Sequence, residues 1–486
     1  MEEILSQPPF TKIPTKQNGN NTIRFITFNV NGIKTICNYH PWNKFNKEFN
    51  EMFLSLGGDI ITLQELKLTE KTTLGEIKNI GHLNNYRSFI SLPMKKKGYS
   101  GVGLFIKKPD NDVQKQYLTV IRAEEGISGW LCDKNGDKYR EQSDNIGGYT
   151  DISESIGTNL DSEGRCVGVE LINDLVVFAV YCPANSQGEI EGENFRLLFL
   201  SQLLKRCENL HKQGKKVILM GDINVSLDLI DSAEGINDRL AIKTIEDLKD
   251  GVEFEELNYK ECMGFKFTRQ ARELLNKYVI QSMIYLCRDN KKINYSNDQF
   301  FYDTTRVIQG RRKKMYTVWN TLTSSRQINY GSRIDLILCS SRKMISNISN
   351  ADILPFILGS DHCPVFTDFE LWNEEEDRDK TDATAVVDED KKIMFEAKNH
   401  FKLNKTRDIS TLFGKRKNVE TDSSDYSTSK TSSPQPESST SNIEKIENEN
   451  ERSKKKSKLP VYKSRKTENS KNPTGPSKKS INDYFS

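Results

Sequence analysis

No apolar run in this chain approaches the roughly 20 residues that a membrane-spanning helix needs. The opening residues, MEEILSQPPFTK, are acidic and lack an apolar stretch long enough for a signal peptide. The expectation is a soluble protein that is not secreted. Paired cysteines are missing too: nine cysteines form no Cys-x-x-Cys, and none follows Cys363. That excludes a zinc ribbon and a small disulfide framework, and leaves reduced thiols in an intracellular protein. A strong charge of either sign is also absent. The net charge of +3 is too small for a globally basic nucleic-acid binder, so local patches matter more than the total.

What is present is unevenly placed. Hydrophobic residues make up 35% of the chain but concentrate before Trp372. The remainder is Ser, Thr, Asn, Lys and Glu, which cannot bury enough apolar surface to offset its ordering entropy. The spacing therefore predicts a flexible N-terminus over 1–22, one folded domain over 23–373, and a disordered tail over 374–486. Within the domain, eight apolar segments read as buried strands: IRFITFNV, DIITLQEL, GVGLFI, CVGVELI, LVVFAVYC, KVILMGDI, RIDLILC and CPVFTDFEL. Before KVILMGDI, the residues Phe195, Phe199, Leu203 and Cys207 recur every four positions, beside Leu200 and Leu204 and ahead of Gly214. This is an amphipathic helix feeding a buried strand. Strands with intervening helices indicate an α/β domain of sheets covered by helices. The polar stretches 109–164 and 227–314 read as surface insertions.

Polar residues cluster where the apolar segments end. FNVNG carries Asn29 and Asn31; LQELK carries Gln64, Glu65 and Lys67; MGDIN carries Asp222 and Asn224. NYGSRIDLI carries Asn329, Arg333 and Asp335, and GSDHCPVF carries Asp361 and His362. Taken singly, each has a plainer reading: Asn-Gly is a common turn, Glu65 and Lys67 make an exposed pair, and a lone histidine serves the core. Five segments repeating the pattern argue that the ends converge, because an unpaired carboxylate in a dry interior costs several kcal/mol. Glu65 and Asp361, helped by Asn31, offer hard oxygen ligands suited to Mg²⁺ or Mn²⁺ rather than Zn²⁺. An Asp335–His362 pair would fix one imidazole tautomer and turn the other nitrogen to a phosphate or a water. Asp222 and Asn224 would handle a proton and orient a water or leaving oxygen. The set describes a phosphodiester hydrolase.

The ordered motifs TFNVNGI, LQELK, GYSGVGLFIK, VYCPAN, GDIN, NYGSRIDLIL and GSDHCPVF resemble the exonuclease III family of class II apurinic/apyrimidinic (AP) endonucleases, over residues 23–372. The resemblance implies the deoxyribonuclease I-like four-layer α/β sandwich and a Mg²⁺-dependent phosphodiesterase centre. It implies Glu65, Asp361 and Asn31 as metal ligands, with Asp222, Asn224 and His362 close enough to share the ion and Asn29 in support. Catalysis falls to Asp222, Asn224, Tyr181 and the His362–Asp335 dyad. DNA contacts fall to Asn29, Lys67, Tyr99, Asn185, Trp319, Asn329 and Arg333.

Asn31 stands where many members carry aspartate, and Asn185 sits one position later than usual. The abasic-sugar pocket, usually walled by bulky aromatics, has Val318, Ser332 and Ile334 beside a retained Trp319. NYGSR is similar to the second eukaryotic branch, whose members act mainly as 3′-repair phosphodiesterases and 3′ to 5′ exonucleases. The expected function is thus DNA base-excision repair by a monomer acting on duplexes with abasic sites or blocked 3′ ends.

From Glu451 to Ser486 there are eleven Lys/Arg against three acids. KKKSK and KSRK resemble nuclear import signals, so a nuclear location is expected. In the terminal INDYFS, Ile481, Tyr484 and Phe485 follow the spacing of the peptide that plugs into the sliding clamp, proliferating cell nuclear antigen. Lys478 stands where that peptide usually has glutamine. The zinc finger that many relatives carry at the C-terminal end is not expected here. Two rival readings share part of the pattern. One is a phosphoesterase of the same superfamily acting on RNA, inositol phosphates or sphingomyelin; the other is a clamp-tethered DNA-binding scaffold without catalysis.

Overall fold

Along Thr22–Asn29 (β1) the side chains alternate between two apolar environments: Ile23 and Phe25 on one side, Ile26 and Phe28 on the other. A strand buried on both faces has no polar side, which is why it reads as a nearly continuous apolar run. The computed structural model describes residues 12–69, 80–185, 188–280, 299–372 and 392–401. In it β1 lies between Val365–Glu370 (β14), antiparallel, and Ile60–Gln64 (β2), parallel. Val102–Lys107 (β4) and Tyr86–Ser91 (β3) follow β2, and Ile348–Ile353 (β13) flanks β14, completing six strands. A second six-stranded sheet runs Val120–Glu125 (β5), Cys166–Leu171 (β6), Leu175–Tyr181 (β7), Lys216–Asp222 (β8), Asp335–Cys339 (β12) and Tyr302–Asp303 (β9), and Val318–Trp319 (β10) pairs separately with Gly331–Ser332 (β11).

The inner faces of the two sheets meet in a core that includes Phe25, Ile60, Val177, Ile218 and Ile337. Outside the first sheet, helix Phe49–Leu56 lays Phe49, Met52, Phe53 and Leu56 over Phe28, Ile61 and Phe105. Outside the second, helix Ile190–Lys212 lays Phe199, Leu203 and Cys207 over Val176, Val217 and Leu336. Each such fully buried large side chain contributes about 1.5–3 kcal/mol. The result is the expected four-layer α/β sandwich.

All eight expected strands are present, and the structure adds what the apolar runs do not mark. The segment 109–164 is no surface insertion: it supplies β5 and sends Ile127, Ile146 and Leu160 into the core beneath helix Ile190–Lys212. The segment 227–314 builds its own small core around Leu229, Ile230, Phe254, Cys262 and Phe265, then closes the second sheet with β9. The folded body also extends beyond 23–373 at both ends. Lys16 pairs with Asp59, and Asn18 Nδ2 donates to Glu370 at 2.7 Å. Residues 392–401 form a strap on β3, where Glu396 pairs in strand fashion with Phe89 and its carboxylate meets Arg87 at 2.8 Å. Phe395 packs into the main core beside Phe89. The basic runs and Ile481, Tyr484 and Phe485 lie outside the described residues.

Candidate active site

The same alternation that buries Ile23 and Phe25 places Asn29, the last residue of β1, on the face turned to the second sheet. In β8, Ile218 and Met220 face inward, so Asp222 does too; in β12, Ile337 and Cys339 face inward, and so does Asp335. Asp222 is paired with Asp335 across antiparallel β8 and β12, and with Tyr181 across parallel β7 and β8. Three polar ends are thereby delivered to one edge of the sandwich. Asn29 Nδ2 bridges the sheets, donating to Asp222 Oδ2 at 2.9 Å and to Glu65 Oε1 at 2.9 Å. The second Asp222 oxygen accepts the Asn224 backbone N–H at 2.9 Å, and Asn224 Nδ2 is tied to the Cys182 carbonyl at 2.8 Å. Gly221 makes this edge possible: its φ is +148°, and a Cβ there would stand 1.9 Å from the Val180 carbonyl oxygen.

His362 arrives on a loop, as neighbouring functions on Asp361 and His362 demand. Gly359 turns the chain at φ +107° against Ile36 and Tyr39. Ser360 Oγ then donates to the Asn29 carbonyl at 2.7 Å and accepts the His362 N–H at 3.1 Å. His362 Nδ1 lies 2.8 Å from Asp335 Oδ2, and its Nε2 is 3.9 Å from Asp222 Oδ2. Burial opposes the imidazolium, but Asp335, Asp222 and Asp361 outweigh it and raise His362 to about 10. The Asp222 carboxyl is pushed upward by burial and by the charge of Asp335, against the pull of His362 and Asn29. The His362 imidazole thus sits between two buried carboxyl groups, Asp335 and Asp222.

A more open rim adjoins this row. Asn31 Nδ2 donates to Asp361 Oδ1 at 2.9 Å, Lys67 bonds Asn31 Oδ1, and Lys67 Nζ is 3.1 Å from Glu65. Burial, followed by the charges of Glu65 and Asp222, raises the pKa of the Tyr181 hydroxyl. Arg165 lies between two rings, 4.8 Å from Tyr181 and 5.2 Å from Tyr99. Asn31, Glu65, Lys67 and Asn224 all hold φ between 45° and 56°. Four non-glycine residues in the left-handed region within one site store conformational strain.

Arg333 does not fit its expected place. It is 1% exposed, and its guanidinium binds Asp231 at 2.8 and 3.0 Å and Asp303 at 2.7 Å, so it cannot reach DNA. Asn185 holds the start of helix Ile190–Lys212, donating to the Glu189 carbonyl at 3.1 Å and to Glu193 at 3.2 Å. Asn329 Oδ1 accepts from Trp319 Nε1 at 3.0 Å, so these two act as one unit beside the loop of Asp361, whose carbonyl takes the Trp319 N–H at 3.0 Å. Sequence reasoning missed Ser360, Thr317 and Arg165. Thr317 Oγ1 accepts the backbone N–H groups of Ile334 and Asp335 at 3.1 and 3.2 Å. Only Ser360 carried a signal, as the neighbour of Asp361.

The donor chemistry fits a hard divalent cation. Asp222, Asp335 and His362 present ligand atoms within 4.8 Å of one another, and Asp335 Oδ1 is buried with no hydrogen-bond partner among the described residues. In that inner set Nδ1 is committed to Asp335. The outer set of Glu65, Asn31 and Asp361 offers oxygens alone, with the Glu65 side chain 18% exposed.

Residues 26–362 match the Endonuclease/Exonuclease/phosphatase family. The chain is 43% identical over 424 residues to the DNA-(apurinic or apyrimidinic site) endonuclease 2 of Saccharomyces cerevisiae, covering 84% of this chain and 77% of that protein. To the human protein of the same name it is 29% identical over 360 residues, covering 71% and 59%. The chain thus spans less than two thirds of the human relative's length. The crystal structure of the Xenopus laevis APE2 catalytic domain superposes with a TM-score of 0.52 at 28% identity, over 72% of this chain and 92% of that domain. With the sandwich, the strand-end site and these likenesses in hand, the chain belongs to the endonuclease/exonuclease/phosphatase family, in the class of the AP endonuclease 2 proteins.

Proposed function

We propose that this chain is a DNA-repair phosphodiesterase that cuts 5′ to abasic sites and clears blocked or recessed 3′ ends. The observation that carries the reading is the buried row Asn29–Asp222–His362–Asp335 beside the oxygen-rich rim of Glu65, Asn31 and Asp361. Glu65 and Asp361, with Asn31 beside them, would hold a Mg²⁺ or Mn²⁺ ion that supplies positive charge to the phosphate oxygens. Asp222, fixed by Asn29 and the Asn224 N–H, is placed to take a proton from the attacking water. The His362 imidazolium, oriented by Asp335, donates Nε2–H toward the phosphate and offsets charge as it develops. Tyr181, under the charge of Glu65, and Lys67 line the approach.

Val318, Ser332 and Ile334 leave the sugar pocket without the aromatic walls of many relatives, which weakens grip on an abasic sugar relative to 3′-end processing. The test compares an abasic duplex, a 3′-phosphoglycolate end and a recessed 3′ end. All three should be hydrolysed in Mg²⁺, with the 3′ ends faster, and chelation should abolish every activity. Dominant abasic incision would sink the pocket argument, and hydrolysis of RNA or inositol phosphates alone would sink the DNA assignment. The same reading makes Ile481, Tyr484 and Phe485 a sliding-clamp tether in the nucleus. A peptide of residues 474–486 titrated into the clamp should release or absorb heat at micromolar concentration, on the order of 8 kcal/mol of binding free energy. Its silence would remove the tether.

A further inference from the structure

The loop carrying Asp361 and His362 is held on one side by strand-like pairing: Trp319 N–H to the Asp361 carbonyl at 3.0 Å and Cys363 N–H to the Thr317 carbonyl at 2.8 Å. On another side a single guanidinium does the work of a strand. Arg326 Nη1 donates to the Ser360 carbonyl at 2.9 Å and reaches the His362 carbonyl at 3.4 Å. Its Nη2 donates to the carbonyls of Pro355 at 2.9 Å and Ile357 at 2.8 Å. The same group lies 4.5 Å from the Trp319 ring centroid.

We propose that Arg326 is a positioning residue for the hydrolytic site, which fixes the Pro355–His362 loop by its backbone and so sets where Asp361 and His362 stand. The proposal rests on the phosphodiesterase reading. Its physical basis is the shape of the guanidinium: a planar fork of five N–H donors can reach four carbonyls of one loop at once, which a lysine ammonium cannot. These carbonyls belong to both ends of the turn that contains Gly359. Without the fork they lose their common partner, and the turn that carries His362 gains freedom. Arg326 also ties this loop to its own segment, 320–330, whose Leu322 and Ile328 are 95% and 76% exposed. That segment therefore bears on the histidine loop through Arg326 as well as through the Asn329–Trp319 unit. Misplacing a reacting group by about 1 Å costs roughly a hundredfold in rate.

The test uses the full chain with Arg326→Ala and Arg326→Lys. Hydrogen–deuterium exchange of the free proteins should quicken over residues 355–363 in both variants and stay unchanged elsewhere in the domain. Steady-state hydrolysis of a 3′-blocked duplex should fall by about tenfold to a hundredfold in kcat, with KM within about threefold. Added guanidinium should recover part of the alanine variant's rate, and the lysine variant should stay low. Unchanged exchange over 355–363, quickened exchange across the whole domain, or a rise in KM at constant kcat would each overturn the proposal. If wild type hydrolyses no DNA, the phosphodiesterase reading fails while the exchange experiment still decides whether Arg326 fixes the loop.

Discussion

Asp222→Asn is expected to lower turnover on a 3′-blocked duplex about 10³-fold, the scale of a lost proton-transfer group. The volume hardly changes, so the cause is chemical. Both carboxylate oxygens of Asp222 already accept N–H donors, from Asn29 and from Asn224, each at 2.9 Å. An amide at this position cannot take a proton from water, and its NH₂ must face one of those two donors. The variant should keep the circular dichroism of the parent and its affinity for DNA. Turnover within tenfold of wild type would remove Asp222 from the reaction and leave His362 as the remaining candidate for moving a proton.

The second large effect concerns stability. Arg333→Met is expected to destabilise the domain by about 3–5 kcal/mol, because it strands carboxylates in a dry interior. Asp231 would keep only Arg306 of its two guanidinium partners, and Asp303 would lose its 2.7 Å contact. Burial pushes the Asp231 carboxyl upward, and Arg333 with Arg306 outweighs it and holds the group below the usual range. Urea unfolding should show the midpoint drop with an unchanged slope. DNA affinity per folded molecule should be unaltered. Lost affinity with full stability would restore the surface role that the sequence pattern assigns to Arg333.

That misreading shows where sequence patterns stop. Arg333 lies within NYGSRIDLI, two residues before Asp335, and adjacency to a functional residue carries no information about which way a side chain points. Strand alternation would not have helped, because it would put Arg333 on the inward face of Asp335, whereas Arg333 precedes the strand, where the chain is already bound to Asp231 through its N–H at 2.8 Å. The central strands were legible because both faces are apolar, and their ends stood out for the same reason. In the two six-stranded sheets, the strands that escaped notice, β3, β5, β9 and β13, are the four edges. An edge strand is only partly covered, so it tolerates polar residues such as those of Val120–Glu125 and Ile348–Ile353, and no apolar run marks it. The core of the site was legible as strand-end polar residues. Its supports were not, because Arg165, Thr317 and Arg326 act across long sequence distances through rings and backbone carbonyls that no local motif records.

The strap at 392–401 changes what counts as the catalytic unit. A chain ending at Trp372, where the last strand has closed, would retain every residue of the hydrolytic site. It would also uncover the free row of amides and carbonyls along β3, together with the surface that Phe395 fills. Such a row invites pairing with another molecule. Covering that row is what residues 392–401 add to a domain whose proposed site residues all precede Trp372.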